Sequence, residues 1–375
     1  MNLHRTRFLS LVFGAITVVA SACGSTTTTT GSTNWATATS ASDMSALIAA
    51  AKSEGALNVI ALPPNWCNYG PNVPATKDMI DAFNAKYPGI TVTSANPNGS
   101  SQQEVDAINQ LAGTSRAPDV VDVGLKVAVS NTAVFAPYKV ATWNDIPDSL
   151  KESTGLWFSD YGGFMAIGYD SAKVPAINSV SDLLGPGFKS AVALAGDPTQ
   201  SNQALNGVIL ASVANGGSLD DVSKGVDFFK QLKKAGNYVP VVGTSATVKL
   251  GQTPVLFEWD YLSTSHGKDV ATWKIFVPSN AIIGGYYSQA INKAAPHPAA
   301  ARLWEEYLYS DAGQNLWLKG GARPVRMAAM TTAGTIDTAA AAALPAVNGT
   351  PQVPTGDQTS KASSFVVANW SAAVS

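Results

Sequence analysis

The sequence is short of charge, cysteine, histidine and long apolar runs, and each shortage excludes something. Charged residues fill 13% of the 375 positions, about half the ~25% usual for soluble domains. Lys+Arg (24) nearly balance Asp+Glu (26), so there is no basic face to offer nucleic acid, and no nucleic-acid partner is expected. Two cysteines, Cys23 and Cys67, make no disulfide framework. Of the three histidines, His4 lies at the start and His266 and His297 lie far apart, which is not a zinc-ligand spacing. No metal and no cofactor is expected. The mostly apolar run from Phe8 to Ala20 is too short for a transmembrane helix, which needs about 20 residues. Also missing, in any supporting context, are a Gly-x-Ser-x-Gly elbow, a P-loop, a zinc helix and a Gly-x-Gly-x-x-Gly opening. What is present is aromatic: nine Trp, eleven Tyr and twelve Phe exclude a disordered chain. The length exceeds the ~250–300 residues at which one core usually splits, so two domains or lobes are expected.

The first segment reads as an address. His4, Arg5 and Arg7 precede the apolar run, which ends in Ala20-Ser21-Ala22-Cys23-Gly24. This resembles the lipobox of bacterial lipoproteins, with Ala20 where Leu or Val is more usual. The resemblance implies cleavage after Ala22, lipidation of Cys23 and an extracytoplasmic protein anchored to the cell membrane. An ordinary secretory signal with an incidental cysteine is the other reading. Residues 23–42, with Thr26 to Thr30 in a row, are too polar and small to bury a core and read as a flexible tether.

From Ala56 onward short β-rich runs alternate with amphipathic stretches. Leu57 to Leu62, Ile90 to Thr93 and Pro118 to Val123 read as strands; Lys77 to Lys86 and Ser101 to Leu111 read as helices. A second series has strands at Ala191 to Ala195, Pro254 to Glu258, Trp273 to Val277 and Tyr286 to Ile291. Its helices fall at Gln203 to Ala214, Leu219 to Lys234 and Pro298 to Tyr309. Such alternation points to an α/β fold with a mostly parallel sheet. The tail from Met327 is rich in Ala and Thr and shows little pattern.

Several segments together resemble the extracellular solute-binding proteins of ABC importers. They are Gly55 to Ile60 with the loop Asn65-Trp66-Cys67-Asn68-Tyr69-Gly70, Pro118 to Asp122, Phe164 to Asp170, and Ala295-Pro296-His297-Pro298 running on to Gln314. The nearest group is the type II periplasmic binding proteins for polyamines, iron(III), thiamine and aminophosphonates. The resemblance covers roughly residues 55–326. It implies two doubly wound α/β lobes joined by two crossing strands: lobe one at 43–166 plus 288–375, lobe two at 167–287. It also implies a monomer that is no enzyme, with a small-molecule solute and an ABC permease as partners.

In open α/β sheets ligands sit beyond the carboxyl ends of strands, so the loops there supply the candidates. Trp66 and Tyr69 follow the first strand; Glu258, Trp259, Asp260 and Tyr261 end a later one; Tyr286 and Tyr287 lie at the second crossing. Aromatic faces with one or two carboxylates suit an organic cation such as a polyamine. Asp260 is equally read as a helix N-cap and Trp259 as a packing residue. Tyr286 and Tyr287 point to opposite sides of a strand, so one of them faces the solute. The tyrosine pair also suggests an iron(III) binder, although it precedes Ala295-Pro296-His297-Pro298 rather than lying in the earlier helix region. Asp122 either reaches the cleft or caps the helix after Gly124. Thr199, Gln200 and Ser201 open a helix whose first turn attracts anions, which favours a phosphonate-type solute, or they form an ordinary cap. Cys67 is either a reactive lone thiol or a small filler. Glu258 and Asp260, two apart, also make a hydrolase-type acid pair conceivable, the weakest reading of the set.

Overall fold

The computed structural model describes residues 33–63, 66–70 and 78–375. The signal segment, Cys23 and the tether as far as residue 32 lie outside the described residues. Residues Asn34 to Ser375 form one compact unit. Part of the expected tether belongs to it: Arg302 Nε donates to the Ala38 carbonyl at 2.9 Å, and Lys139 N to the Thr39 carbonyl at 2.8 Å. Composition alone does not foresee such partners. Among the described residues no helix is long and apolar enough to cross a membrane.

The chain runs through α1 (Met44–Glu54), β1 (Ala56–Ile60), α2 (Met79–Lys86), β2 (Thr91–Ala95), α3 (Ser101–Gln110), β3 (Val120–Gly124) and α4 (Leu125–Ser130). It continues with β4 (Phe135–Ala136), β5 (Phe158–Asp170), β6 (Val192–Leu194), α5 (Asn202–Ala214), α6 (Ser223–Ala235), α7 (Ser245–Lys249), β7 (Val255–Trp259), α8 (Asp260–His266), β8 (Trp273–Phe276) and β9 (Gly284–Asn292). The last elements are α9 (Pro298–Leu308), α10 (Asp311–Lys319), β10 (Arg323–Pro324), α11 (Met327–Ala333), α12 (Thr338–Ala342) and α13 (Gly356–Val374). Local chemistry sets many of these ends. Asp43 caps α1 by accepting from Ser45 N and Ala46 N, and Gly55 closes it at φ 69°, where a side chain would be strained.

Among the described residues there are two sheets: β1 and β2 make a small parallel sheet of their own, and the eight-stranded sheet is mixed rather than mostly parallel. Strands β1 and β2 pair in parallel, as do β6 and β7; β3–β9, β9–β5, β5–β7 and β5–β8 are antiparallel. The reason is the long β5. Its first part, Phe158 to Phe164, pairs with β9, and its second, Met165 to Asp170, pairs with β7 and β8. One strand thus joins two groups of βα units that the sequence pattern shows only singly. A register shift between Ser159 and Gly162 marks a bulge in β5, the kind of irregularity that re-aims side chains.

The tail is also more ordered than its composition suggests. Thr355 Oγ1 accepts from Gln358 N at 3.2 Å while Gln358 Oε1 accepts from Thr355 N at 3.1 Å, a reciprocal cap that starts α13. Trp370 then packs 5.2 Å from the Phe229 ring and 6.2 Å from Tyr238. Ala and Ser between the buried Val366, Ala362 and Trp370 dilute the apolar stripe and hide it from periodicity.

Candidate functional site

A cleft of ≈ 310 Å³ opens where the carboxyl end of β3 meets the first turns of α3 and α5. Its size is at the lower end of the ~300–1,000 Å³ typical of small-molecule sites. One wall is aromatic. The Tyr161 and Tyr287 rings stack 5.8 Å apart, and Trp66 stands edge-on to Tyr287 at 5.1 Å. Tyr161 reaches this wall from the β5 bulge, and Tyr287 from β9 directly opposite Gly124. The opposite wall is the turn Pro198 to Asn202. There the Asp197 carboxylate accepts from Thr199 N at 2.9 Å, and Ser201 Oγ accepts from Ala204 N at 3.3 Å. These bonds shape the turn at the start of α5, where a helix leaves its first N–H groups without intrahelical partners.

The floor holds two carboxyl groups. Asp122 N donates to Glu104 Oε2 at 2.9 Å, and Asp122 Oδ1 has no hydrogen-bond partner. Burial first, then the neighbouring Asp160 and Glu104 carboxyls, push the Asp122 carboxyl well above the usual range. Burial does the same to Glu104, opposed by the Asp122 amide. Behind them Asp160 accepts from Gln289 Nε2 at 2.8 Å, and burial raises its pKa to about 7. At the rim Lys126 Nζ donates to Ser363 Oγ of α13 at 2.5 Å, so the tail contributes to the site.

Of the twelve sequence candidates, Trp66, Asp122, Thr199, Gln200, Ser201 and Tyr287 line this cleft. Asp122 caps no helix: Gly124 occupies the N-cap of α4. The other six lie elsewhere, each for a physical reason. The Tyr69 hydroxyl accepts from Gln289 Nε2 at 2.6 Å, with its ring packed 5.6 Å from Trp317 in the core. Glu258 pairs with His266 Nε2 at 3.0 Å. Trp259 is fully buried, stacked with Tyr261 at 6.5 Å. Asp260 is neutralised by Arg323 and accepts from Phe164 N and Tyr261 N, both at 3.0 Å. Glu258 and Asp260 thus serve different partners and form no acid pair. Tyr286 lines a separate crevice of ≈ 20 Å³. Cys67 is buried and its thiol pKa is raised well above normal by burial, which fits a filler.

Tyr161, Glu104, Lys126 and Ser363 line the cleft without having been singled out in the sequence. Glu104 sits in the predicted helix after Ser100, so that cap was the available signal. Tyr161 depends on the bulge, and Ser363 on a helix that composition conceals. Among the described residues no group of three or more His, Cys, Asp or Glu could hold a metal ion.

A mixed α/β fold with a ring-walled cleft at strand and helix ends defines a class: proteins that hold a small solute. The sequence profile of the bacterial extracellular solute-binding proteins matches residues 115–345, and the chain belongs to that family. No curated protein sequence matches it. Solved structures agree in fold. The periplasmic binding protein P5PA aligns with 16% identity and a TM-score of 0.63, covering 86% of this chain and 100% of its own. Iron-bound HitA from Pseudomonas aeruginosa gives 17% identity and a TM-score of 0.62, covering 85% and 99%. AgtB from A. tumefaciens R10, solved with agropinic acid, gives 15% identity and 0.63, covering 85% and 98%. The fold is that of type II periplasmic binding proteins.

Proposed function

We propose that the protein captures a small solute in this cleft and delivers it to an ABC permease, without transforming it. In this reading it is a monomer tethered to the outer face of the membrane through lipidated Cys23. Its lobes are 43–166 with 288–375, and 167–287, and solute bound between them favours the closed arrangement. The observation that carries the reading is the composition of the cleft: Trp66 and Asp122 line it together with Thr199 to Ser201 and Tyr287, which in this reading belong to opposite lobes.

The preferred solute is an organic cation. Asp122 supplies a carboxyl group to the cleft beside Trp66 and Tyr287, and each ring adds about 0.5–2 kcal/mol of cation–π attraction. The first turn of α5 favours a second reading, an anionic solute such as a phosphonate. A melting-temperature screen of polyamines, aminophosphonates, ferric iron, thiamine and oligosaccharides tests both. A solute at a hundred times its Kd adds about 2.7 kcal/mol of stability, enough to raise Tm by several degrees. No shift with any compound, or turnover of one of them, overturns the reading.

A further inference from the structure

Helix α13 belongs to lobe one by its place in the chain, yet most of its packing is on lobe two. The segment before it is pinned where β5 changes partner between Phe164 and Met165, the crossing of the proposed lobes. There Gln352 N donates to the Ile282 carbonyl and Gly284 N to the Gln352 carbonyl, both at 2.8 Å. The helix then buries Ala362, Val366 and Trp370 in one stripe. Trp370 lies against Phe229 of α6, whose ring packs 5.5 Å from Phe257 of β7. Beside the stripe, the buried Ser363 hydroxyl accepts from Lys126 of α4, and a Cβ on Gly356 would lie 3.1 Å from Val129 of α4. Helix α4 in turn seats Ala128 among Val121 and Val123 of β3 and Ala290 of β9.

These two attachments differ in kind. Parting α13 from α6 would expose buried rings to water. Parting it from α4 breaks one charge-assisted hydrogen bond and a van der Waals contact, and both partners of the bond regain water. A hinge motion about the crossing strands separates α4 from α6, and α13 can follow only one of them; the stronger attachment is to α6. Lys126 and Ser363 both line the cleft, so the link that gives way spans its rim. Resting on the two-lobe reading above, we propose that α13 is a brace across the lobes and that the Lys126–Ser363 bond is a latch favouring the closed arrangement. The latch raises the fraction of molecules that are competent to hold solute, and apparent affinity rises in proportion to that fraction.

Small-angle scattering of the intact protein without solute tests this, with melting curves as the control for stability. Lys126→Met and Ser363→Ala are each expected to shift the closed–open ratio about tenfold, the order of a lost charged hydrogen bond, and so to enlarge the radius of gyration. Tm is expected to stay within a few degrees. The double variant is expected to be no larger than either single one, because both remove the same bond, and Ser363→Thr, which keeps the hydroxyl, is expected to match wild type. Lys126 is only half-buried, so Lys126→Met carries the test should Ser363→Ala fail to fold. An unchanged radius in Lys126→Met, or an increase in Ser363→Thr equal to that in Ser363→Ala, overturns the latch and leaves the receptor reading intact. Enlarged radii together with a solute screen that finds nothing support the latch and count against the receptor reading alone.

Discussion

Gly124, at the end of β3, presses against Asn202 at the start of α5 so closely that an added Cβ would meet the Asn202 Cβ and Cγ at 3.0 Å. Its φ of −61° is ordinary for any residue, so glycine serves here for space and not for backbone freedom. Gly124→Ala is expected to be tolerated with a small loss of affinity. Gly124→Leu is expected to wedge the walls apart and weaken solute binding at least tenfold, with Tm lowered by only a few degrees. Calorimetric affinity and small-angle scattering of the same variants check this.

Arg323 closes the account of Asp260. Its guanidinium pairs with that carboxylate, lies 4.2 Å over the Phe164 ring, and donates to the Pro345 carbonyl at 3.0 Å. Removing one member of a buried pair strands the other charge at about 3–5 kcal/mol. Arg323→Met is therefore expected to lower stability by that order in urea denaturation while solute affinity stays within about threefold. A large loss of affinity at retained stability would return Asp260 to the binding residues.

The buried acids make stability depend on pH. Asp160 titrates near pH 7 in the folded chain, raised from 3.8 chiefly by burial. Below pH ~4 both folded and unfolded states hold that proton, and the contribution is fully present. As pH rises toward 7 the unfolded chain loses the proton first, so stability falls until the folded group has also ionised. Asp160→Asn is expected to flatten this slope, with wild type losing about 1 kcal/mol or more relative to the variant between pH 5 and 8. Parallel melting curves check the sign.

Trp370 anchors the last helix by filling the space beside Phe229 and Tyr238. Truncating a buried aromatic costs about 3–5 kcal/mol, and Trp370→Ala is expected near the lower figure because the ring is at the edge of the core. Chemical denaturation followed by tryptophan fluorescence measures it. Since α13 also supplies Ser363 to the cleft rim, solute affinity is expected to fall as well.

Local features were readable in the sequence, and remote partnerships were not. The helix starting after Ser100, the Pro298 helix and the alternation of Tyr286 with Tyr287 follow from caps and periods acting over a few residues. Trp66 and Ser201 reach the cleft because their loops end strands or begin helices. Glu258 and Asp260 looked equally available, yet His266 engages the first and Arg323, far along the chain, the second. Tyr69 was lost in the same way to Gln289. The antiparallel course of β5 and β9 was hidden because strand direction is decided by partners, not by composition.

Helix α13 packs on α6 through contacts that lie far apart in sequence. A newly made chain that still lacks residues 356–374 has the floor and both walls of its cleft but leaves the Phe229 and Tyr238 rings wet and Lys126 without its hydroxyl partner. The groove beside Phe229 therefore closes only once residues 356–374 are present. A truncated product is expected to present a sticky apolar groove rather than a weak receptor, and so to be a substrate for proteases or chaperones.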